Sequence, residues 1–270
     1  MVPPLSSGNV PSSKSSSSFS EPRLRFHFLT LFPEVFQAVL GASLLGKAQS
    51  NGIVSYTYTQ IRDFAIDRHR TVDDTPYGGG EGMVLKADVL YSAWKSALSE
   101  EAGLPAKSDT SSKSLKTITL LMSPQGRLFD QAMARELASQ YSRVIILCGH
   151  YEGLDERFID QCVDREVSVG DYVLTGGELP AMVIADAVTR LLPGVVGNQR
   201  SITQDSLEEG LLKYPQYTRP GVWEGREVPP VLLSGNHQAI ATWRRTQMEE
   251  RTARKRPDLW EKLKKGNPKT

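Results

Sequence analysis

Three short glycine-bearing stretches of this chain could do chemistry: SPQGR at residues 123–127, CGHYEGLDER at 148–157 and VGDYVLTGGELP at 169–180. Each follows a run that reads as a strand. Ligands of open α/β sheets bind in the crevice outside the carboxyl ends of the strands, and glycines there let backbone approach a ligand closely. One such turn alone is more often a helix cap, but three at consecutive strand ends point to a shared pocket. No turn carries the Lys-Ser/Thr of a phosphate-binding loop, and none is a G-x-G-x-x-G with an acid some twenty residues on. Nucleoside-triphosphate and dinucleotide sites are therefore disfavoured.

Further polar groups stand outside these turns. The stretch RDFAIDRHRTVDDTPYGGGEGM (62–83) sets Arg62, Arg68, His69 and Arg70 beside Tyr77 and the glycines Gly78, Gly79 and Gly80. Cations next to a flexible aromatic loop suit phosphate contact and base stacking; they equally suit a solvated loop. Arg190 follows Asp186 by four residues near a helix end, which by spacing alone is an ion pair favoured by the helix dipole. Asp205, in TQDSLEEGLL, is by spacing the N-cap of the next helix, with Glu208 at the capping-box position.

The elements that must position these groups alternate. RLRFHFLTLF (23–32) reads as a strand and Pro33 opens a helix; GIVSYTYTQI (52–61) is a strand and LKADVLYSAWKSAL (85–98) an amphipathic helix. Then come TITLLMS (117–123, strand), FDQAMARELASQY (129–141, helix), RVIILCG (143–149, buried strand), LDERFIDQCV (short helix) and REVSVG (short strand). ELPAMVIADAVTRLLPG is a helix stopped by Pro193 and Gly194. Continuous apolar strands between helices predict an α/β fold around a mainly parallel sheet.

Composition is ordinary, 39% hydrophobic and 23% charged over 270 residues, enough for one sizeable domain and a small one. No apolar run approaches the roughly twenty residues of a membrane-spanning helix. The two cysteines, Cys148 and Cys162, sit among apolar neighbours, as suits a reducing cytosol rather than a disulfide framework or zinc cluster. Net charge is +1, yet from His237 onward ten lysines and arginines face four acids. That is a mild nucleic-acid signal, matched in weight by a solvated helix face. Residues 1–21 form a serine-rich tail expected to be disordered, with neither a secretory h-region nor transit-peptide arginines. Residues 100–116 look like an exposed insertion. The expected division is an α/β domain over 22–196, a flexible linker over 197–209 and a basic helical domain over 210–270.

Taken together, PYGGGEGM, LMSPQGR, CGHYEGLDER, GDYVLTGGELPA, TQDS and YTRPGVWEGREVPPVLLSGNH resemble, in that order, the bacterial tRNA (guanine-N1)-methyltransferases of the TrmD family. The resemblance runs from about residue 23 to 257. It implies a SPOUT fold whose C-terminal part is threaded into a deep trefoil knot, a rare exception to chain topology, and an obligate homodimer in the cytoplasm. It also implies S-adenosylmethionine as methyl donor and tRNA as substrate, methylated at N1 of the guanosine just 3′ of the anticodon (position 37) to help keep the reading frame. Leu121, Ser123, Pro124, Gly149, Val169, Gly170, Asp171, Tyr172, Val173, Leu174, Gly176 and Gly177 would wall the donor pocket, with Glu152 facing the donor's methionine end. Arg190 and Asp205 match the family's catalytic pair, Asp205 arriving from the partner subunit's linker. Magnesium is implied by the resemblance, although no ligand cluster in the sequence predicts it. Two departures stand out: His150 occupies a place where some members have Arg, and the chain ends soon after Pro257. A non-catalytic RNA-binding protein would lack the TQDS acid or the GDYVLTGG turn; a ribose 2′-O-methylating SPOUT enzyme would lack TQDS and the YTRP–VPPVLLSGNH stretch. A Rossmann dehydrogenase would need the missing dinucleotide fingerprint.

Overall fold

In a computed structural model, the described residues are 22–99, 116–197, 206–207 and 210–266. Five parallel strands form one sheet in the order β2-β1-β6-β5-β7: β1 (Leu24–Thr30), β2 (Val54–Gln60), β5 (Thr117–Leu128), β6 (Arg143–Cys148) and β7 (Arg165–Ser168). All six residues of β6 are buried, as a central strand covered on both faces must be. The parallel sheet, and helices at each of the five places expected between or after its strands, agree with the reading from sequence.

Residues alternate between two apolar layers because successive side chains of a strand point to opposite faces. On one face Phe26, Phe28, Leu120, Val144 and Ile146 pack under α1 (Glu34–Leu40), α2 (Ser43–Ser50), α4 (Gln131–Gln140) and α6 (Glu178–Thr189). On the other, Leu29, Leu121, Ile145 and Leu147 pack under α3 (Ala87–Ser99) and α5 (Glu156–Cys162). His27 lies in this second layer, with Nε2 2.6 Å from the Thr59 hydroxyl and Nδ1 3.0 Å from that of Thr57. Burial, and secondarily the Arg143 charge, lower its pKa to about 4.

Three features were not read from sequence. Helix α2 and the two-residue antiparallel pair of β3 (Asp73–Asp74) and β4 (Val84–Leu85) are short. Strand β5 also continues past the SPQGR turn: Met122 and Arg127 both stand opposite Val167, so residues between them bulge out of the ladder toward the strand ends.

From β7, an edge strand, the chain returns across the carboxyl ends of β5 and β6 and enters α6 on the opposite layer. Gly177 makes the crossing possible. Its backbone N–H donates to the Gly149 carbonyl at 3.0 Å, and a Cβ there would lie 2.5 Å from the Cys148 Cα, a contact no other residue could make.

Residues 210–266 carry a hairpin of β8 (Val222–Trp223) and β9 (Arg226–Glu227), then α7 (Pro230–Leu233), α8 (His237–Lys255) and α9 (Pro257–Gly266). Asn236 caps α8, its Oδ1 accepting from Gln238 N and Ala239 N at 3.1 Å. Leu212 N donates to the Thr252 hydroxyl oxygen (2.8 Å), and that hydroxyl donates to the Met248 carbonyl (2.6 Å). No helix among the described residues is long and apolar enough to cross a membrane.

Candidate active site

The three glycine turns meet around one cleft of about 430 Å³ beyond the carboxyl ends of β5, β6 and β7, a size suited to a cofactor-sized molecule. Of the residues named from sequence, Leu121, Ser123 and Pro124 line it from β5 and its bulge, Gly149 and Glu152 from the loop after β6. Val169, Gly170, Tyr172, Val173, Leu174, Gly176 and Gly177 line it from the returning segment; Asp171 does not. Tyr172, Val173 and Leu174 are exposed, so this wall offers an open apolar and aromatic face.

Behind the cleft lies a polar cluster that sequence reading missed. Glu178, the first residue of α6, is buried; the Thr30 hydroxyl at the end of β1 donates to its Oε1 at 2.6 Å, and His150 Nε2 stands 2.9 Å from both carboxylate oxygens. The available signal was an acid at the head of an otherwise apolar helix, which resembles a solvated first-turn carboxylate and so drew no notice. Burial, and after it the Glu178 charge, drive the neighbouring Cys148 thiol's pKa well upward, so it stays protonated.

The basic 62–83 loop docks beside the second turn. Glu152 N donates to the Met83 carbonyl (3.0 Å) and Leu85 N to that of Gly153 (2.9 Å), while Tyr77 is fully exposed at the loop's tip. Arg190 lies elsewhere. It is the C-cap of α6, next to Thr189, whose hydroxyl is 3.0 Å from the Tyr56 hydroxyl in the amino-terminal half of β2. Twelve residues of helix put it about 18 Å from the cleft, at the opposite edge of the sheet. Asp205 and Glu208 lie outside the described residues.

The sequence profile of the family described as tRNA (Guanine-1)-methyltransferase TrmD matches residues 24–262. The chain belongs to the TrmD family. Among proteins named tRNA (guanine-N(1)-)-methyltransferase, it is 49% identical to that of Ruminiclostridium cellulolyticum over 244 residues (90% of this chain, 99% of the relative). It is 52% identical to that of Chloroflexus aggregans over 237 residues (87% of each) and 50% identical to that of Synechocystis over 245 (91% and 99%). The matched region of this TrmD-family chain thus spans both the sheet and the helical segment after it. Among the described residues no group of three or more His, Cys, Asp or Glu could hold a metal ion, so no ligands for magnesium are assigned.

Proposed function

We propose that the protein transfers a methyl group from S-adenosylmethionine to N1 of the guanosine immediately 3′ of the tRNA anticodon (position 37), a modification that helps maintain the reading frame. Family membership supports the class of reaction, and convergence of the three glycine turns on one cleft is the observation that carries the assignment of the donor site. The residues fit such a donor: close backbone at Gly149 and Gly177 suits a flat adenosine, and the Tyr172–Leu174 face suits its apolar edge.

The chemistry explains the remaining residue types. Guanine N1 holds a proton at neutral pH and is a poor nucleophile until a carboxylate takes it. Asp205 is the base in this proposal. Charge then develops on O6, and the Arg190 guanidinium stabilises it. Because Arg190 stands at the far edge of its own sheet, a second copy of the chain must bring it to the cleft, in a homodimer with a shared site. An apolar strip supports this: Phe32, Val35 and Val39 beside α1 and Leu179 and Val183 on α6 are all exposed, and the two helices pack together. The return of the chain from β7 over β5 and β6 fits the deep trefoil knot of the SPOUT fold. Residues 197–209 serve as linker and 210–270 as the tRNA-binding domain, in a cytoplasmic enzyme.

Methyl transfer from labelled S-adenosylmethionine to a tRNA transcript with G 3′ of the anticodon tests the reading. Label in N1-methylguanosine for that transcript, and none when A replaces G, is the expected result. Equal labelling of both would refute the position assigned. Mixed dimers of Arg190→Ala chains and Leu174→Trp chains, whose indole would fill the cleft, should recover part of the activity that neither homodimer has.

A further inference from the structure

His150 and Glu178 are not needed to explain the shape of the cleft, yet they form a closely held polar pair at its back. The side chains keep only 15% and 9% of their surface exposed, and a buried carboxylate is costly unless its lone pairs are met. The Thr30 hydroxyl donates to one oxygen, and His150 Nε2 lies within hydrogen-bond distance of both. Gly176 presses on the ring: a Cβ there would lie 2.3 Å from His150 Cε1. The Phe32 ring meets the imidazole edge-on, with centroids 5.1 Å apart. The ring is thus clamped with Nε2 spent on Glu178. Nδ1 has no hydrogen-bond partner among the described residues, and the residue lines the cleft.

We propose that His150, oriented by Glu178, binds the carboxylate of the methyl donor's amino-acid portion, with a hold that strengthens when His150 is protonated. The inference rests on the reading that the cleft takes S-adenosylmethionine. In neutral His150, Nε2–H serves Glu178 and Nδ1 is a bare acceptor, which repels a carboxylate oxygen. A proton on Nδ1 turns it into a charge-assisted donor. Glu178 balances the added charge, so the imidazolium is tolerated inside the protein. Glu152, two residues on, lines the same cleft and is free to meet the donor's amino group.

The titrating groups around the ring are few. Glu178 faces it from α6, Tyr151 touches it edge-on at 6.3 Å, and Glu152 follows in the same loop. Cys148, at the end of β6, stays a neutral thiol. The end of β1 contributes only Thr30 and Phe32, which do not titrate.

Calorimetric titration of the full-length protein with S-adenosylmethionine between pH 5.5 and 7.0, below the range where the ligand's α-amine titrates, tests this. Affinity should fall about tenfold across the window, the worth of one charge-assisted hydrogen bond. His150→Gln, which keeps a donor for Glu178 but does not titrate, should bind weakly with no slope; His150→Arg, a permanent cation, should bind without slope and more tightly than the Gln variant. Methylthioadenosine, which lacks the carboxylate, should bind wild type equally at every pH. Thermal melts of both variants close to wild type accompany these results. A flat wild-type profile, a slope surviving in His150→Gln, or a slope with methylthioadenosine would each overturn the proposal and leave the donor site standing. Failure of wild type to bind S-adenosylmethionine at any pH would overturn both.

Discussion

The sheet domain and the segment from 210 to 266 are built on opposite principles. Among the described residues every buried hydrophobic side chain except Leu211 precedes residue 197, and the 19 residues of α8 bury only Thr252. The first region supplies its own core on both faces of a sheet. The second holds its shape by capping, by the Thr252 hydrogen bonds and by rings under cations, such as the Arg244 guanidinium 4.7 Å from the Tyr214 ring centroid, while Val222, Trp223 and Leu233 stay exposed. A region with so little apolar burial opens locally at low cost and gains stability from what it binds. In the proposed function the difference separates two tasks: a rigid site for a small donor, and an adaptable basic surface for a large polyanion.

The largest test of that separation removes the proposed catalytic pair. Asp205→Ala or Arg190→Ala should lower turnover about 10²–10⁴-fold while donor affinity, measured by calorimetry, stays within twofold of wild type. Loss of donor binding would place these residues inside the donor pocket and erase the distinction. Next in size is the pH dependence of the core. The folded-state pKa of His27 is near 4, below its ordinary 6.5, so the unfolded chain takes up the proton first. Stability from this group is whole above pH 6.5 and is lost as pH falls toward 4, by about 3 kcal/mol. Urea midpoints at pH 7 and pH 4.5 should show it, and His27→Asn should flatten it.

Parts of this comparison were legible in the sequence and parts were not. The apolar run of β6 and the period of α3 announce their elements, because burial on both faces or on one stripe leaves a pattern in the residues themselves. The order β2-β1-β6-β5-β7 leaves none, since neighbours in a parallel sheet are chosen by crossovers. The glycine turns were visible as a group; that Asp171 turns away from the cleft was not, nor that Arg190 lies at the far edge, since both depend on the path of the chain. Glu178 was hidden because an acid at a helix start has an ordinary explanation on the surface, and only the fold brings Thr30 and His150 to it.

Two smaller effects sharpen the contrast from the other side. Thr252→Val leaves Leu212 N without its acceptor and should cost about 1–2 kcal/mol, seen as faster amide exchange around Leu212 and weaker tRNA binding, with donor affinity unchanged. Arg254→Ala should weaken tRNA binding several-fold and reduce the slope of log affinity against log salt by about one; an unchanged slope would mean that this end of α8 does not meet the phosphates.

The passage of residues 169–177 over the ends of β5 and β6 also dictates a schedule of assembly. The cleft cannot exist until β5, β6 and β7 are in register, and α6 cannot seat against β1 and β6 until the segment has crossed. On a ribosome, which releases the amino end first, all five strands emerge before the helix that completes their cover. The growing chain therefore carries an incompletely covered apolar sheet face while the 21 residues that follow Ser168, up to Thr189, are made, and in that interval it is most open to chaperones and to aggregation.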